Sequence, residues 1–305
     1  MSKTDCHASA ALHMRRMSLV LLLLLLLPFV SVGVLGDVST YYQYTAVQQV
    51  DTRKFLRAFI AVNPLLENLS SDNFCDWPYV DCTLNGVDFY LDETSAAGVL
   101  PDVPAGVRGR NIILTSINIR YAEQNLIGTL PASWGVLSQV RFLSLYRNAL
   151  TGTLPPEWSG MRGVSWMMLN DNHFRGTVPT SWGSLPFVTW VNLNGNMLTG
   201  SVPASWSRAT RLRIVEMEGN ALSGTLPAEW SSMDDLRAIN MRHNNLTGTL
   251  PSAWASAPML NTVSLIKNRF CGCVPTSWVA RGSAYRVDVD EALTAANCST
   301  ANACR

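Results

Sequence analysis

Histidine is almost missing from this 305-residue chain, and after the first 36 positions only His173 and His243 remain. Chemistry that needs a cluster of imidazoles, as ligands or as general bases, has little to draw on. Charge is also sparse, at 15% of residues, and no run of lysine or arginine occurs anywhere. Without a basic tract, nucleic acid and anionic membrane are not expected partners. What the chain has in abundance is order of another kind.

Seven tryptophans, Trp134, Trp158, Trp182, Trp206, Trp230, Trp254 and Trp278, recur every 24 residues. Each stands three residues after a proline, from Pro131 to Pro275, and each proline three residues after a glycine, from Gly128 to Gly272. A fixed period of this length marks a solenoid, in which no repeat buries its apolar face alone. Six full units cover residues 127–270 with the pattern T-G-T-L-P-x-x-W, then V/L-x-x-L-x-L-x-x-N-x-L. The paired apolar positions Leu143/Leu145, Met167/Leu169, Val191/Leu193, Val215/Met217, Ile239/Met241 and Val263/Leu265 alternate as a short strand with one buried face does.

Asn148, Asn172, Asn196, Asn220, Asn244 and Asn268 follow each strand, where an amide can both donate to and accept from orphaned backbone groups. The glycine permits the next bend, and the proline breaks regular structure, so the return segment is expected to be irregular or 3₁₀-like. The fold class expected is therefore a leucine-rich repeat solenoid of the α/β-horseshoe type, with short parallel strands on the concave face. The seven periodic indoles stand where such repeats place a core leucine, which assigns them to the interior rather than to a ligand platform.

The first 36 residues read as a signal peptide. Arg15 and Arg16 precede the apolar run 19–27, and Val34-Leu35-Gly36 ends in a small residue before Asp37. The rival reading is an uncleaved anchor, since residues 17–35 approach the length of a membrane span. Removing Lys3, Arg15, Arg16 and Asp5 from totals of 23 basic and 22 acidic residues leaves 20 and 21, a net charge of −1. Residues 37–96 form an N-terminal cap, in which Val50, Phe55, Leu56, Phe59 and Ile60 are spaced for one helical face before Asn63-Pro64. Residues 97–270 are the repeats, with a degenerate first one at 97–126 containing a strand near 113–119 and ending at Asn125. Residues 271–305 are a cysteine-rich C-terminal cap.

Cys75, Cys82, Cys271, Cys273, Cys298 and Cys304 flank the array, an even number that reads as disulfide staples over the two ends. Cys75–Cys82 is the expected N-terminal bridge. Cys271 and Cys273 are each expected to reach forward to Cys298 or Cys304. A zinc site is the alternative, against which stand the C-x-C spacing and the oxidising export route. Asn68, Asn245 and Asn297 head glycosylation sequons.

The T-G-T-L-P-x-x-W repeat, the Cys75-Asp-Trp77…Cys82 flank and the closing Cys271-Gly-Cys-Val-Pro-x-x-Trp278 together resemble the promastigote surface antigens of trypanosomatid parasites. The resemblance implies a surface or secreted leucine-rich repeat glycoprotein that contacts host molecules through its repeats. Many members of that family end in a lipid-anchor signal. This chain ends Cys298-Ser-Thr-Ala-Asn-Ala-Cys304-Arg305, without the hydrophobic tail such a signal needs, so no GPI anchor is expected.

Catalysis finds little support. His173 and His243 sit in repeats three coils apart, roughly 14 Å along a stack at strand spacing. Glu216 and Glu218 are the one carboxylate pair on a common face, but an open sheet does not enclose a cleft, and Arg242 in the next coil is placed to neutralise Glu218. No enzyme activity and no cofactor or metal are expected. Binding is better founded. The positions facing outward just before each strand core are Phe142, Trp166, Trp190, Ile214, Ala238 and Thr262, and the repeat does not demand the aromatic ones. Two uses fit them: anchors for a partner, or satellite core. The candidate contact set is Trp166, Trp190, Tyr146, Asn170, Asn194, Glu216, Glu218 and Arg242. The expected partner is an extracellular protein or host-cell surface receptor, met by a monomer. A passive, protease-resistant coat and a plant-type inhibitor of secreted enzymes remain as alternatives.

Overall fold

In the computed structural model of the chain, the described residues are 41–304 apart from 42, 67, 68, 70, 93 and 122–125. The leader at 1–36, the sequon at Asn68 and the repeat end at Asn125 lie outside them. Each coil crosses one sheet once. The ten strands are β1 (Val80–Thr83), β2 (Gly86–Leu91), β3 (Leu114–Ile119), β4 (Phe142–Ser144), β5 (Trp166–Met168), β6 (Trp190–Asn192), β7 (Ile214–Glu216), β8 (Ala238–Asn240), β9 (Thr262–Ser264) and β10 (Arg286–Asp288). They lie in chain order. Only β1 and β2 are antiparallel; every later neighbour is parallel, with one register shift between β2 and β3 at Val87/Asp88 and none from β3 onward. The alternation works as period two requires: Leu143, Met167, Val191, Val215, Ile239 and Val263 are buried between sheet and return segment.

Strands stay short because the asparagines turn the chain. Asn172 Nδ2 donates to the carbonyls of Leu145 and Leu169, and its Oδ1 accepts from the amide of Leu150, so one side chain ties two coils together. The same pattern repeats at Asn196, Asn220, Asn244 and Asn268. The residue before the asparagine is left-handed in every coil. Gly195 and Gly219 adopt φ of 62° and 69°, while Arg147, Asp171, His243 and Lys267 hold φ of 54–59° with side chains attached.

On the return side, each proline opens a five-residue 3₁₀ turn, from Ala132–Val136 to Ser252–Ser256, that carries the periodic tryptophan inward. All seven of these indoles are buried. Successive rings lie nearly parallel with centroids 5.9–6.4 Å apart. Each ring N–H donates to the carbonyl of the proline that opens the preceding coil's turn, as in Trp158 Nε1 to Pro131 O at 2.9 Å and Trp206 Nε1 to Pro179 O at 3.0 Å. A leucine could fill the space but could not make that bond, and a buried indole N–H without a partner would be costly.

The return side is less irregular than the sequence suggests. Arg175–Thr177 pairs in parallel with Met197–Thr199, and Ser223–Gly224, Asn245–Gly248 and Arg269–Phe270 form a second short sheet. The T-G-T glycines at their bends hold φ of 74–86°, which leaves the extended threonines on either side free to pair.

The ends of the tryptophan ladder are closed by other aromatics. Helix α1 (Ala46–Val62) starts with a capping box between Thr45 and Gln48 and stops at Asn63. Its Phe55 and Phe59 meet the first indole, Trp134, at 6.0 and 5.9 Å. Val50, expected on the buried face, is instead exposed. The helix turns Asp51 and Thr52 inward in its place. Asp51 accepts from Asn111 Nδ2 at 2.7 Å and Thr52 from the amide of Ile113, so polar contacts to the first coil set the helix rotation. At the other end Tyr285 packs edge-on against Trp278 at 5.7 Å. Cysteine pairs are Cys75–Cys82, Cys271–Cys304 and Cys273–Cys298, which leaves no thiolate for the alternative zinc site.

Candidate binding face of the sheet

Register pairing aligns the outward-facing side chains in three files across the sheet. The first runs Ser116, Phe142, Trp166, Trp190, Ile214, Ala238, Thr262. Its aromatic members meet edge to face, Phe142 with Trp166 at 5.8 Å and Trp166 with Trp190 at 5.5 Å. Such pairs exceed their area burial by about 0.5–1.5 kcal/mol. Trp166 and Phe142 keep part of their surface in solvent, whereas Trp190 is only 7% exposed. Trp190, a candidate contact residue from the sequence, is therefore covered in the chain alone. It is covered because its Nε1 turns to donate to Glu216 Oε2 at 3.0 Å, which lays the ring along the sheet.

The middle file runs Asn118, Ser144, Met168, Asn192, Glu216, Asn240, Ser264. Ser144 and Met168 are buried although they lie in this outward-facing file. Asn118 Oδ1 and Ser144 Oγ, on directly paired residues, have no hydrogen-bond partner in the protein. Leaving a buried polar atom unmatched costs about 1–3 kcal/mol, so this pair is a locally unfavourable spot in the sheet.

In the third file Tyr146 donates to or accepts from the hydroxyl of Tyr121 at 2.8 Å. Burial and that hydroxyl contact push Tyr121 up to about 12, against the nearby guanidinium groups of Arg120 and Arg147. Asn170 Nδ2 donates to Asp171 Oδ2 at 2.8 Å, and Asn194 Oδ1 accepts from the amide of Glu218 at 2.6 Å. Glu218 Oε2 in turn accepts from Asn240 Nδ2 at 2.8 Å. The expected Arg242–Glu218 ion pair does not form. Arg242 reaches Asp288 at 3.6 Å, because Asn240 already occupies the Glu218 carboxylate. Burial raises the Glu216 carboxyl above the ordinary range; the Trp190 N–H opposes this and Glu218 adds to it.

The arrangement brings Trp166, Trp190, Tyr146 and Asn170 into one neighbourhood, joins Glu216 to it through the Trp190 N–H and Glu218 to Asn194, and sets Arg242 beyond, against Asp288. Asn118 and Tyr121 belong to the same neighbourhood and were not legible in the sequence, because the degenerate first repeat hides its own frame. The sequons at Asn245 and Asn297 lie away from this face. Asn245 starts a return-side strand, half-buried, and Asn297 is exposed beside Cys298. Among the described residues no helix is long and apolar enough to cross a membrane.

The Leucine Rich Repeat family matches residues 235–257. The surface membrane glycoprotein GP46/M-2 of Leishmania amazonensis is 34% identical over 103 residues, which are 33% of this chain and 22% of that protein. Among solved structures, the plant peptide hormone receptor RGFR1 in complex with RGF2 is similar with a TM-score of 0.56 at 27% identity, over 62% of this chain and 29% of that one. The PEPR1–AtPEP1 structure gives a TM-score of 0.62 at 22% identity, over 75% and 32%. The chain therefore spans under a quarter of the curated relative and about a third of each of these two solved chains. The fold is that of leucine-rich repeats, and the chain is similar to a parasite surface glycoprotein.

Proposed function

We propose that this surface-antigen-like leucine-rich repeat chain is an extracellular recognition module that binds a protein of the host through the open face of its sheet. Trp166 is the anchor, with Phe142 and Tyr146 beside it. Trp190 is the backing that fixes the Trp166 ring, and Asn170, Asn194, Glu216, Glu218 and Arg242 supply polar selection. The observation that carries this reading is the row Phe142–Trp166–Trp190, which the repeat does not require and which runs beside the file holding two unmatched polar atoms, on Asn118 and Ser144. Aromatic anchors of this kind carry most of the energy at protein interfaces, about 2 kcal/mol or more each on truncation. Similarity to a surface glycoprotein and to a receptor structure holding a peptide ligand supports an extracellular binding role in general.

The test is hydroxyl-radical footprinting of the exported chain, alone and with a partner retained from host-cell surface proteins. Oxidation of Trp166 and Tyr146 should slow on binding, while the sequon residues and return side stay unchanged. Protection confined to the caps or the return side would move the contact elsewhere. If no partner is retained, the passive-coat reading takes its place.

A further inference from the structure

A second surface lies at the edge where the chain enters the sheet. One file there contains Thr115, Arg141, Ser165, Thr189 and Arg213, joined coil to coil by backbone bonds such as Arg141 N to Thr115 O and Thr189 N to Ser165 O. Two residues earlier in successive coils stand Gly163, Phe187, Arg211 and Asp235. Between the two files opens a cleft of about 800 Å³. At its floor the coils pack closely: a Cβ on Gly163 would lie 2.4 Å from the carbonyl oxygen of Ser138, so only glycine lets the two backbones approach this far.

The chemistry of the walls is specific. Arg141, Arg211 and Arg213 supply three guanidinium groups against one carboxylate, Asp235, which stands 3.9 Å from Arg213 at one end. No carboxylate among the described residues lies within ion-pair distance of Arg141 or Arg211. Arg211 lies 4.8 Å over the Phe187 ring, which holds the guanidinium in place and reduces the entropy lost when it captures an anion. Ser165 and Thr189 hydroxyls, 3.1 Å apart, lie between the cations. Arg141 and Arg213 are three coils apart, roughly 14 Å at strand spacing.

We propose that this cleft binds an acidic oligosaccharide, a sugar chain bearing sulfate or carboxylate groups. The spacing of the cations calls for several anionic groups on one extended ligand rather than a single phosphate. Guanidinium groups pair with sulfate and carboxylate by two parallel hydrogen bonds, and the hydroxyls between them match ring hydroxyls. Nucleic acid fits less well, because the cleft holds a single aromatic ring, Phe187, where base stacking calls for a series of them. The site is separate from the Trp166 face and does not rest on that reading.

The experiment titrates the full exported chain with a sulfated, uronate-containing hexasaccharide, with its desulfated and carboxyl-reduced counterpart, and with vesicles containing phosphatidylserine. The sulfated probe should bind with affinity that falls as salt rises. Arg141→Gln and Arg211→Gln should each weaken it about tenfold. Trp166→Ala should leave it unchanged, which separates this site from the sheet face. On the wild-type chain, hydrogen exchange should slow at residues 138–141, 163–165, 187–189 and 211–213 when the probe is present. Equal binding of the uncharged counterpart, binding to vesicles but not to the hexasaccharide, an unchanged affinity in both glutamine variants, or protection at other residues would each overturn the assignment.

Discussion

A single indole in this chain does two jobs that sequence separates poorly. It fills core volume, and its N–H closes the carbonyl of the proline that opened the coil before. The first job is legible from position 8 of the repeat. The second is not, since which carbonyl lies above the ring depends on how far each coil is offset from the last. The same limit applies to Trp190, whose burial follows from a bond to Glu216 in the neighbouring strand. Glu216 also gives a residue-scale prediction. Its carboxyl is raised first by burial, so its folded pKa exceeds its unfolded one. Such a group contributes stability that is complete below the unfolded pKa and lost as pH rises through the folded pKa. Glu216→Gln keeps an oxygen for the Trp190 N–H and removes the ionisation. Its melting temperature should exceed that of the wild type at neutral pH, and the gap should close as the pH falls below the ordinary carboxylate range. Asp88, also raised by burial, is common to both proteins and cancels from the comparison. A gap that is constant with pH, or of opposite sign at neutrality, would contradict this.

At the scale of elements, strands and turns follow from period alone because each coil repeats the same local choices. The caps do not repeat, and there the sequence is a weaker guide: helical spacing alone put Val50 on the buried face of α1, where polar ties from Asp51 and Thr52 to the first coil decide the rotation. The C-terminal cap is held differently. Backbone bonds from Gly272 to Asn302 and from Val274 to Leu293, with Cys271–Cys304 and Cys273–Cys298, fold the last segment over the final coil. In a solenoid each coil leans only on its neighbours, so loosening one end should fray that end first. The paired change Cys273→Ala, Cys298→Ala should cost about 2–4 kcal/mol. Hydrogen exchange should rise in β10 and β9 while β4 to β6 stay protected. Uniform exchange along the array would show that the ends are not separately held.

For the whole molecule, the repeats use tryptophan in two ways: a buried ladder that holds the coils together, and a row on the open face, centred on Trp166, that the repeat does not require. The array makes this division testable, because both populations sit in equivalent, well-packed central coils. The most direct measurement compares Trp206→Ala with Trp166→Ala for thermal stability and for affinity towards the retained partner. Trp206→Ala should lose about 3–5 kcal/mol of stability through the cavity it leaves. Trp166→Ala should melt within a few degrees of wild type yet bind at least tenfold more weakly, about 1.4 kcal/mol or more. A Trp166→Ala variant that is as unstable as Trp206→Ala, or that binds undiminished, would contradict the account.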